Sequence, residues 1–176
     1  EAQPTVDGVC SVGIQSGSTV ICNCTCLSDT GVEISACNTS IAQDTPIALA
    51  LFSTCIVTPT NRVNCFGRGT VGQIGNAASA SVNTPQTVVG VLSGVDVYAI
   101  TGGSGHYCAL ITSSKFGACW GFGGDGRIGD NALSNRNAPV SLAAPLSSVA
   151  LTKISAGDQH SCAIRASDGV GFCWGS

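Results

Sequence analysis

The chain has 176 residues, a formal net charge of −3, 23 Gly and 11 Cys, and it contains no Met. Its seven Lys and Arg residues are scattered singly from Arg62 to Arg165, which excludes a basic surface for nucleic acid. The longest apolar run, Ile47 to Phe52, is strand-sized and excludes membrane insertion. The cysteine content favours an oxidising compartment, so we expect a chain that is extracellular or displayed at the cell surface.

Residues 1–46 form a Cys-rich N-terminal segment that does not follow the pattern of the later chain. It holds Cys10, Cys22, Cys24, Cys26 and Cys37. Because five is an odd number, we expect one of them to be free, or bonded to another chain or to a part of the protein beyond this sequence. Two asparagines match the acceptor pattern for N-glycans, and Asn38 is the better candidate because Asn23 is flanked by cysteines.

From Ile47 onward the sequence repeats with a period of 54 residues. Three cysteines recur at that step, and each follows another cysteine by 10 or 11 residues: Cys55 and Cys65, Cys108 and Cys119, Cys162 and Cys173. We divide the chain into a first copy, a second copy and a partial third copy, at 47–98, 99–152 and 153–176.

A turn signal lies between the two cysteines of every copy, at Pro59–Asn61, Thr112–Lys115 and Ser167–Gly169. Each pair therefore predicts a β-hairpin with one cysteine on either strand, at matching distance from the turn. Opposed positions of an antiparallel pair are close enough for a disulfide. We predict the bonds Cys55–Cys65, Cys108–Cys119 and Cys162–Cys173.

Further residues recur outside the cysteines. The segment from Gly103 through His106 to Cys108 corresponds to the segment from Gly157 through His160 to Cys162, and Cys-Trp-Gly follows in both copies at Trp120 and Trp174. Gly72-Gln-Ile-Gly75 corresponds to Gly126-Arg-Ile-Gly129, and Pro85 to Pro139. Copy one departs at two positions, with Ser53 in place of the histidine and Phe66 in place of the tryptophan.

This string of motifs resembles the RCC1-like repeat, each copy of which forms a four-stranded blade of a β-propeller. The resemblance implies an all-β chain with about two and a half blades, an incomplete propeller, after the Cys-rich segment. A closed propeller has about 4 to 8 blades, so the blade faces at both ends of this row are expected to need cover. We also expect an open strand edge at Gly171–Gly175 and poor behaviour of the isolated chain as a monomer.

The residue pattern favours no catalytic, cofactor-binding or metal-binding site. His106 and His160 recur at one blade position, as structural histidines do, and we expect them to bond backbone groups. Zinc is the alternative for these histidines and their neighbouring cysteines, but no Cys-x-x-Cys occurs and each cysteine has a nearer partner. The loop Gly121–Gly126 lacks the Lys and Ser or Thr of a phosphate loop.

Three aspartates, Asp125, Asp130 and Asp158, lack the alternating acidic pattern of a calcium loop, and we expect Asp130 to cap a turn. The two tryptophans are expected to fill the space between neighbouring blades.

Two functions fit these features. The favoured one is a non-catalytic extracellular structural or adhesive module, part of a cell-surface or filamentous assembly built through blade-edge and disulfide contacts. The alternative is a soluble recognition propeller that binds a protein target, as a receptor ectodomain or secreted inhibitor does. Both functions imply a protein partner, which is this chain itself or a neighbouring one, without any cofactor.

Overall fold

A computed structural model describes residues 47–176 and the backbone of two short paired strands, β1 (Cys26–Leu27) and β2 (Glu33–Ile34). These two strands lie in one compact unit, Glu1–Ala42, and the remaining described residues lie in another, Gln43–Ser176. The predictions for the N-terminal segment fall outside the described residues: Cys10, Cys22, Asn23, Cys24, Cys37, Asn38 and the side chain of Cys26.

Three antiparallel sheets follow one another along the described chain. The first sheet has four strands in sequential order: β3 (Ile47–Leu49), β4 (Ser53–Val57), β5 (Val63–Gly67) and β6 (Val82–Thr87). The second repeats this order: β7 (Val97–Gly102), β8 (His106–Ile111), β9 (Gly117–Gly121) and β10 (Arg136–Ser141). The third has three strands: β11 (Leu151–Ala156), β12 (His160–Arg165) and β13 (Gly171–Gly175).

The all-β fold with blade-like sheets is therefore confirmed. The second sheet begins at Val97, ahead of Ala99 where copy two was placed, and the division of the chain into four parts stays a prediction. Helical geometry is confined, within residues 47–176, to short 3-10 turns at Gly90–Leu92 and Gly124–Gly126. No helix of the described residues is long and apolar enough to cross a membrane.

The hairpin turns form where the sequence predicts them, because left-handed residues close them. Asn61 and Lys115 have φ values of 59° and 61°, and Gly169 has a φ of 74°. These turns fix the register so that each cysteine directly opposes its partner across β4–β5, β8–β9 or β12–β13.

The hydrophobic core is divided between the two gaps that separate neighbouring sheets. One cluster of buried side chains fills the gap between the first and second sheets, and another fills the gap between the second and third. Because the second sheet has a neighbour on each face, all five residues of β9 are buried. In β4, by contrast, buried and half-buried residues alternate.

The third sheet ends at β13, which pairs with β12 and, in the part of the chain that the structure describes, with no other strand. A cavity of about 450 Å³ lies beside β13, where Phe172 and Trp174 face Gly129 and Leu146 of the preceding repeat. In the first gap the equivalent loop, which joins β5 to β6, is covered by β10. Asn137 of β10 forms two hydrogen bonds with Ala77 of this loop, of 2.8 and 2.9 Å.

Candidate functional site

Within residues 47–176 no group of three or more His, Cys, Asp or Glu side chains is placed to hold a metal ion. The repeated contacts of residues 47–176 lie between the sheets, and within those residues no sheet packs on the backward face of the first sheet or on the forward face of the third. The candidate functional site is therefore an interaction surface formed by sheet faces.

Each sheet presents two chemically different faces. The forward face carries the cystine, and we define it by Ser53, Cys55, Val57 and Cys65, by His106, Cys108, Leu110 and Cys119, and by His160, Cys162, Ile164 and Cys173. The backward face carries an aromatic residue, and we define it by Ile47, Thr54 and Phe66, by Ile100, Tyr107 and Trp120, and by Ile154, Ser161 and Trp174. In both gaps a forward face meets the backward face of the next sheet.

The cystines lie at the centres of the forward faces. The structure joins Cys55 to Cys65, Cys108 to Cys119 and Cys162 to Cys173, with Cα atoms 4.1 Å apart in each pair. These are the pairs that the spacing predicts. The first two cystines are fully buried beneath the next sheet, whereas in the third Cys162 is half-buried and Cys173 is exposed.

The tryptophans lie between neighbouring sheets, as the sequence predicts, and they also join each sheet to the loop of the preceding repeat. The indole N–H of Trp120 donates to the carbonyl of Gln73 over 3.0 Å, and that of Trp174 donates to the carbonyl of Arg127 over 2.9 Å. Both acceptors are the second residue of a Gly-x-Ile-Gly motif. A buried indole N–H needs such a partner, so the ring and the motif recur together.

The last glycine of each Gly-x-Ile-Gly motif allows this contact. Gly75 and Gly129 have left-handed φ values of 76° and 77°, and a Cβ atom at either would lie only 2.9 or 2.6 Å from the indole nitrogen. Any other residue would be strained by its backbone and would also push the ring away.

A second polar contact crosses each gap, and the sequence pattern alone did not predict it. Ser53 bonds the hydroxyl of Tyr107 over 2.9 Å, and Nε2 of His106 bonds the hydroxyl of Ser161 over 2.8 Å. These pairs occupy the same register positions, but the large and small partners are exchanged between the two gaps. The departure of copy one from the motif is thus compensated by a large residue on the second sheet.

His106 is neutral in this arrangement. The Ser161 hydroxyl donates to the carbonyl of Arg127 over 3.1 Å, so its oxygen accepts a hydrogen bond from the Nε2–H of His106. Burial, with a smaller contribution from the charge of Arg127, lowers the pKa of His106 from 6.5 to about 4. The other ring nitrogen, Nδ1, has no hydrogen-bond partner. Burial likewise raises the pKa of Tyr107 to about 12, so His106 and Tyr107 both stay uncharged near neutral pH.

The buried guanidinium of Arg127 links the second sheet's loop to the third sheet. Its guanidinium donates to the carbonyls of Gly124 and Asp158 over 2.9 and 3.0 Å and to the carboxylate of Asp125 over 2.7 Å. Asp158 belongs to the third sheet's turn, so Arg127 reaches across the gap with both its side chain and its carbonyl. This role could not be predicted from the repeat, because Gln73 occupies the same motif position in copy one.

The sequence predicts that both histidines bond backbone groups, and this needs correction. His106 bonds the side chain of Ser161 in the next sheet, and His160 is exposed. Tyr107, which the repeat pattern does not single out, lies fully buried in the first gap. The expected turn cap is confirmed, because a carboxylate oxygen of Asp130 accepts the N–H of Ala132 over 3.2 Å.

The backward face of the first sheet is largely open to solvent. Ile47 occupies the register position of Ile100 and Ile154, which both pack in a gap, yet 65% of its surface is exposed. Leu49 on the same strand is 67% exposed. An apolar face of this kind is typical of a surface that binds another protein.

A second group of anchors lies on the rim formed by the β3–β4 turn and the ends of β5 and β9. The guanidinium of Arg68 lies over the ring of exposed Phe52, 5.5 Å from its centre, and that of Arg127 lies over Phe122 at 4.7 Å. Aromatic and arginine side chains are the residues that most often dominate protein interfaces.

Comparison with known proteins places these features in a family context. Residues 119–164 match the regulator of chromosome condensation (RCC1) repeat. The ultraviolet-B receptor UVR8 of Arabidopsis thaliana is 30% identical over 110 residues, which are 62% of this chain and 24% of the receptor. The chain thus spans about a quarter of that relative's length.

Solved structures of low sequence identity share the fold. The crystal structure of human WBSCR16 aligns with a TM-score of 0.66 at 20% identity, over 73% of this chain and 32% of that one. Yeast RCC1 (Prp20), crystallised with Kap60, aligns with a TM-score of 0.61 at 21% identity, over 73% of this chain and 31% of that one. The sheets described above are therefore RCC1-like propeller blades.

The close approach of Trp174 to Gly129 yields a first prediction. Gly129→Ala should lower the free energy of unfolding by about 2 kcal/mol more than Gly94→Ala, because only the first added methyl meets the indole ring. Gly94 is a matched control, since its φ of 73° is similar and no atom lies within 4 Å of its added Cβ. Urea unfolding followed by tryptophan fluorescence measures both variants, and equal losses would contradict the proposed role of the motif.

A second prediction follows from the depressed pKa of His106. The pKa of His106 in the folded chain, about 4, lies below the ordinary value of 6.5. The neutral ring therefore contributes fully to the free energy of unfolding above pH 6.5, and this contribution is lost as pH falls towards 4. The loss should reach roughly 3 kcal/mol, and His106→Gln should remove this part of the pH dependence. His160→Gln, on the exposed face, is the matched control and should retain it. Chemical unfolding at a series of pH values measures the effect, and an unchanged profile in His106→Gln would refute it.

Proposed function

We propose that this chain, which carries RCC1-like repeats folded as propeller blades, is a non-catalytic structural or adhesive module of an extracellular assembly. Its partner in this proposal is a protein, either another copy or a neighbouring chain, at the cell surface or in a filament. Blade contacts and disulfide bonds hold the assembly together.

The observation that carries the proposal is the open backward face of the first sheet. Ile47 and Leu49 are both about two-thirds exposed, although Ile100 and Ile154, at the position of Ile47, pack against a neighbouring sheet in the two gaps. Leaving such apolar surface in water is unfavourable by about 25 cal/mol per Å², which favours association with another protein surface.

The cystines support an extracellular location. Each hairpin holds one disulfide at the same register position, so the bonds belong to the repeat itself. Structural disulfides persist mainly in oxidising compartments. The five cysteines of residues 1–46 add the means for covalent links between chains in such an environment. N-glycans at Asn38 or Asn23 are part of the same proposal.

A recognition propeller is the second candidate, and the rim anchors favour it. Phe52 is 60% exposed and lies beneath the guanidinium of Arg68, which presents an apolar ring and a charge together. Under this alternative the chain is a monomer that binds a different protein through its rim. Yeast RCC1 (Prp20), which shares the fold, was crystallised with Kap60 bound to it.

Sedimentation velocity of the full chain over a range of concentrations separates the two candidates. The structural function predicts reversible association, and Leu49→Glu should weaken it by at least about tenfold, because burying an unpaired carboxylate is costly. The control is Leu133→Glu, which places the same charge at a residue that is 75% exposed and belongs to neither sheet face. Free thiols are blocked with iodoacetamide beforehand. A chain that stays monomeric at every concentration would contradict the structural function and favour the recognition propeller.

A further inference from the structure

The two polar pairs that cross the gaps differ in whether they can gain a charge in mild acid. In the second gap, between the second and third sheets, the Nε2–H of His106 donates to the Ser161 hydroxyl over 2.8 Å. In the first gap the equivalent pair is Ser53 and Tyr107. The pKa of Tyr107 is about 12, so that pair stays uncharged at every pH below neutral.

We propose that His106 makes the second gap an acid-sensitive switch, which opens when the imidazole is protonated while the first gap stays closed. The inference goes beyond the proposed assembly function and does not depend on it, because both sheets of this gap lie within the described chain. Opening exposes the cystine Cys108–Cys119, which the closed gap buries, and releases the indole N–H of Trp174. The fold would thus respond to acidification of its surroundings.

The imidazole is tightly enclosed, so it cannot be hydrated unless a sheet moves. His106 has 0% of its surface exposed. A Cβ atom at Gly103 would lie 2.3 Å from Cε1 of the ring and 2.3 Å from the carbonyl oxygen of Gly157, so turns of the second and third sheets meet beside the ring. Among the described residues Nδ1 has no hydrogen-bond partner. Protonation of Nδ1 therefore creates a buried, charged N–H group without an acceptor in this geometry, which is costly.

The groups around the ring oppose its protonation on balance. Burial is the largest cause of the lowered pKa of His106, and the guanidinium of Arg127 is the second. The charge of His160 acts in the same direction, whereas the backbone of His160 and the carboxylate of Asp158 act more weakly than burial in the opposite one. The Arg127 side chain is only 4% exposed and is paired with Asp125 over 2.7 Å, so its charge stays beside the ring.

The first gap lacks this arrangement. Gln73 stands at the motif position of Arg127, and its side-chain oxygen accepts the N–H of Val71 within the same loop. An amide does not titrate, and the pair of Ser53 and Tyr107 gains no charge in acid. The two gaps therefore share one backbone plan but differ in their response to pH.

Linkage gives the size of this response. An imidazole released into water has the ordinary pKa of about 6.5, whereas the enclosed ring has a pKa of about 4. The open gap therefore binds the proton more tightly, and the equilibrium constant for opening rises as the pH falls from 6.5 towards 4. Between pH 7.5 and pH 4.5 this rise is about seventyfold.

Hydrogen exchange of the two indole N–H groups tests the switch in the full chain. Each indole reports on one gap, since Trp120 donates to the loop before the second sheet and Trp174 to the loop before the third. NMR of chains with ¹⁵N-labelled tryptophan follows both signals, and free N-acetyltryptophanamide supplies the unprotected rate at each pH. The protection of Trp174 should fall by about seventyfold between pH 7.5 and pH 4.5, and that of Trp120 should change by less than about threefold.

Two variants identify the group that is responsible. His106→Gln keeps a side-chain N–H but does not titrate, so the protection of Trp174 should become constant within about threefold. His160→Gln, at an exposed histidine, is the matched control and should keep the fall of about seventyfold. The comparison of the two indoles within the original chain needs no variant, so it holds even where a substitution prevents folding. The proposal is overturned if Trp174 loses less than about tenfold in the original chain, if both indoles lose protection together, or if His106→Gln keeps the fall.

Discussion

The donation of an indole N–H to the carbonyl of a Gly-x-Ile-Gly loop is the interaction on which this arrangement depends. Trp120 reaches back to Gln73, and Trp174 reaches back to Arg127, at the same sequence distance. A sheet alone cannot bury its backward face, and in the second and third sheets the loop of the preceding repeat receives the aromatic residue of that face. This makes the chain a row in which every blade depends on its neighbours.

The sequence predicts the parts of this arrangement that recur with the period. The cystine positions, the hairpin turns and the placement of both tryptophans follow from local spacing, because strand alternation and turn chemistry act over a few residues. The polar pairs that cross the gaps, Ser53 with Tyr107 and His106 with Ser161, could not be predicted in this way. Ser53 looked like a loss of the motif histidine, and only the register across the gap places Tyr107 where its hydroxyl meets the serine.

The apolar run from Ile47 to Phe52 illustrates the same limit. Its length suggests one buried strand, yet the strand ends at Leu49, and the side chains of Ile47, Leu49, Leu51 and Phe52 are largely exposed. Periodicity identifies apolar residues but not which neighbour covers them, and here the first sheet has no preceding sheet in the described chain. The mismatch between sequence and burial marks the surface from which the assembly function was inferred.

The central claim is that each gap holds a forward face against a backward face through a polar pair of one large and one small residue. Exchanging the small and the large residue of the first gap tests this claim directly. Ser53→His alone should lower the free energy of unfolding by roughly 1 to 3 kcal/mol, because the larger side chain overcrowds Tyr107. Adding Tyr107→Ser recreates the pair of the second gap, and the double variant should return to within about 0.5 kcal/mol of the original chain. A double variant whose loss equals the sum of the single losses would contradict the account.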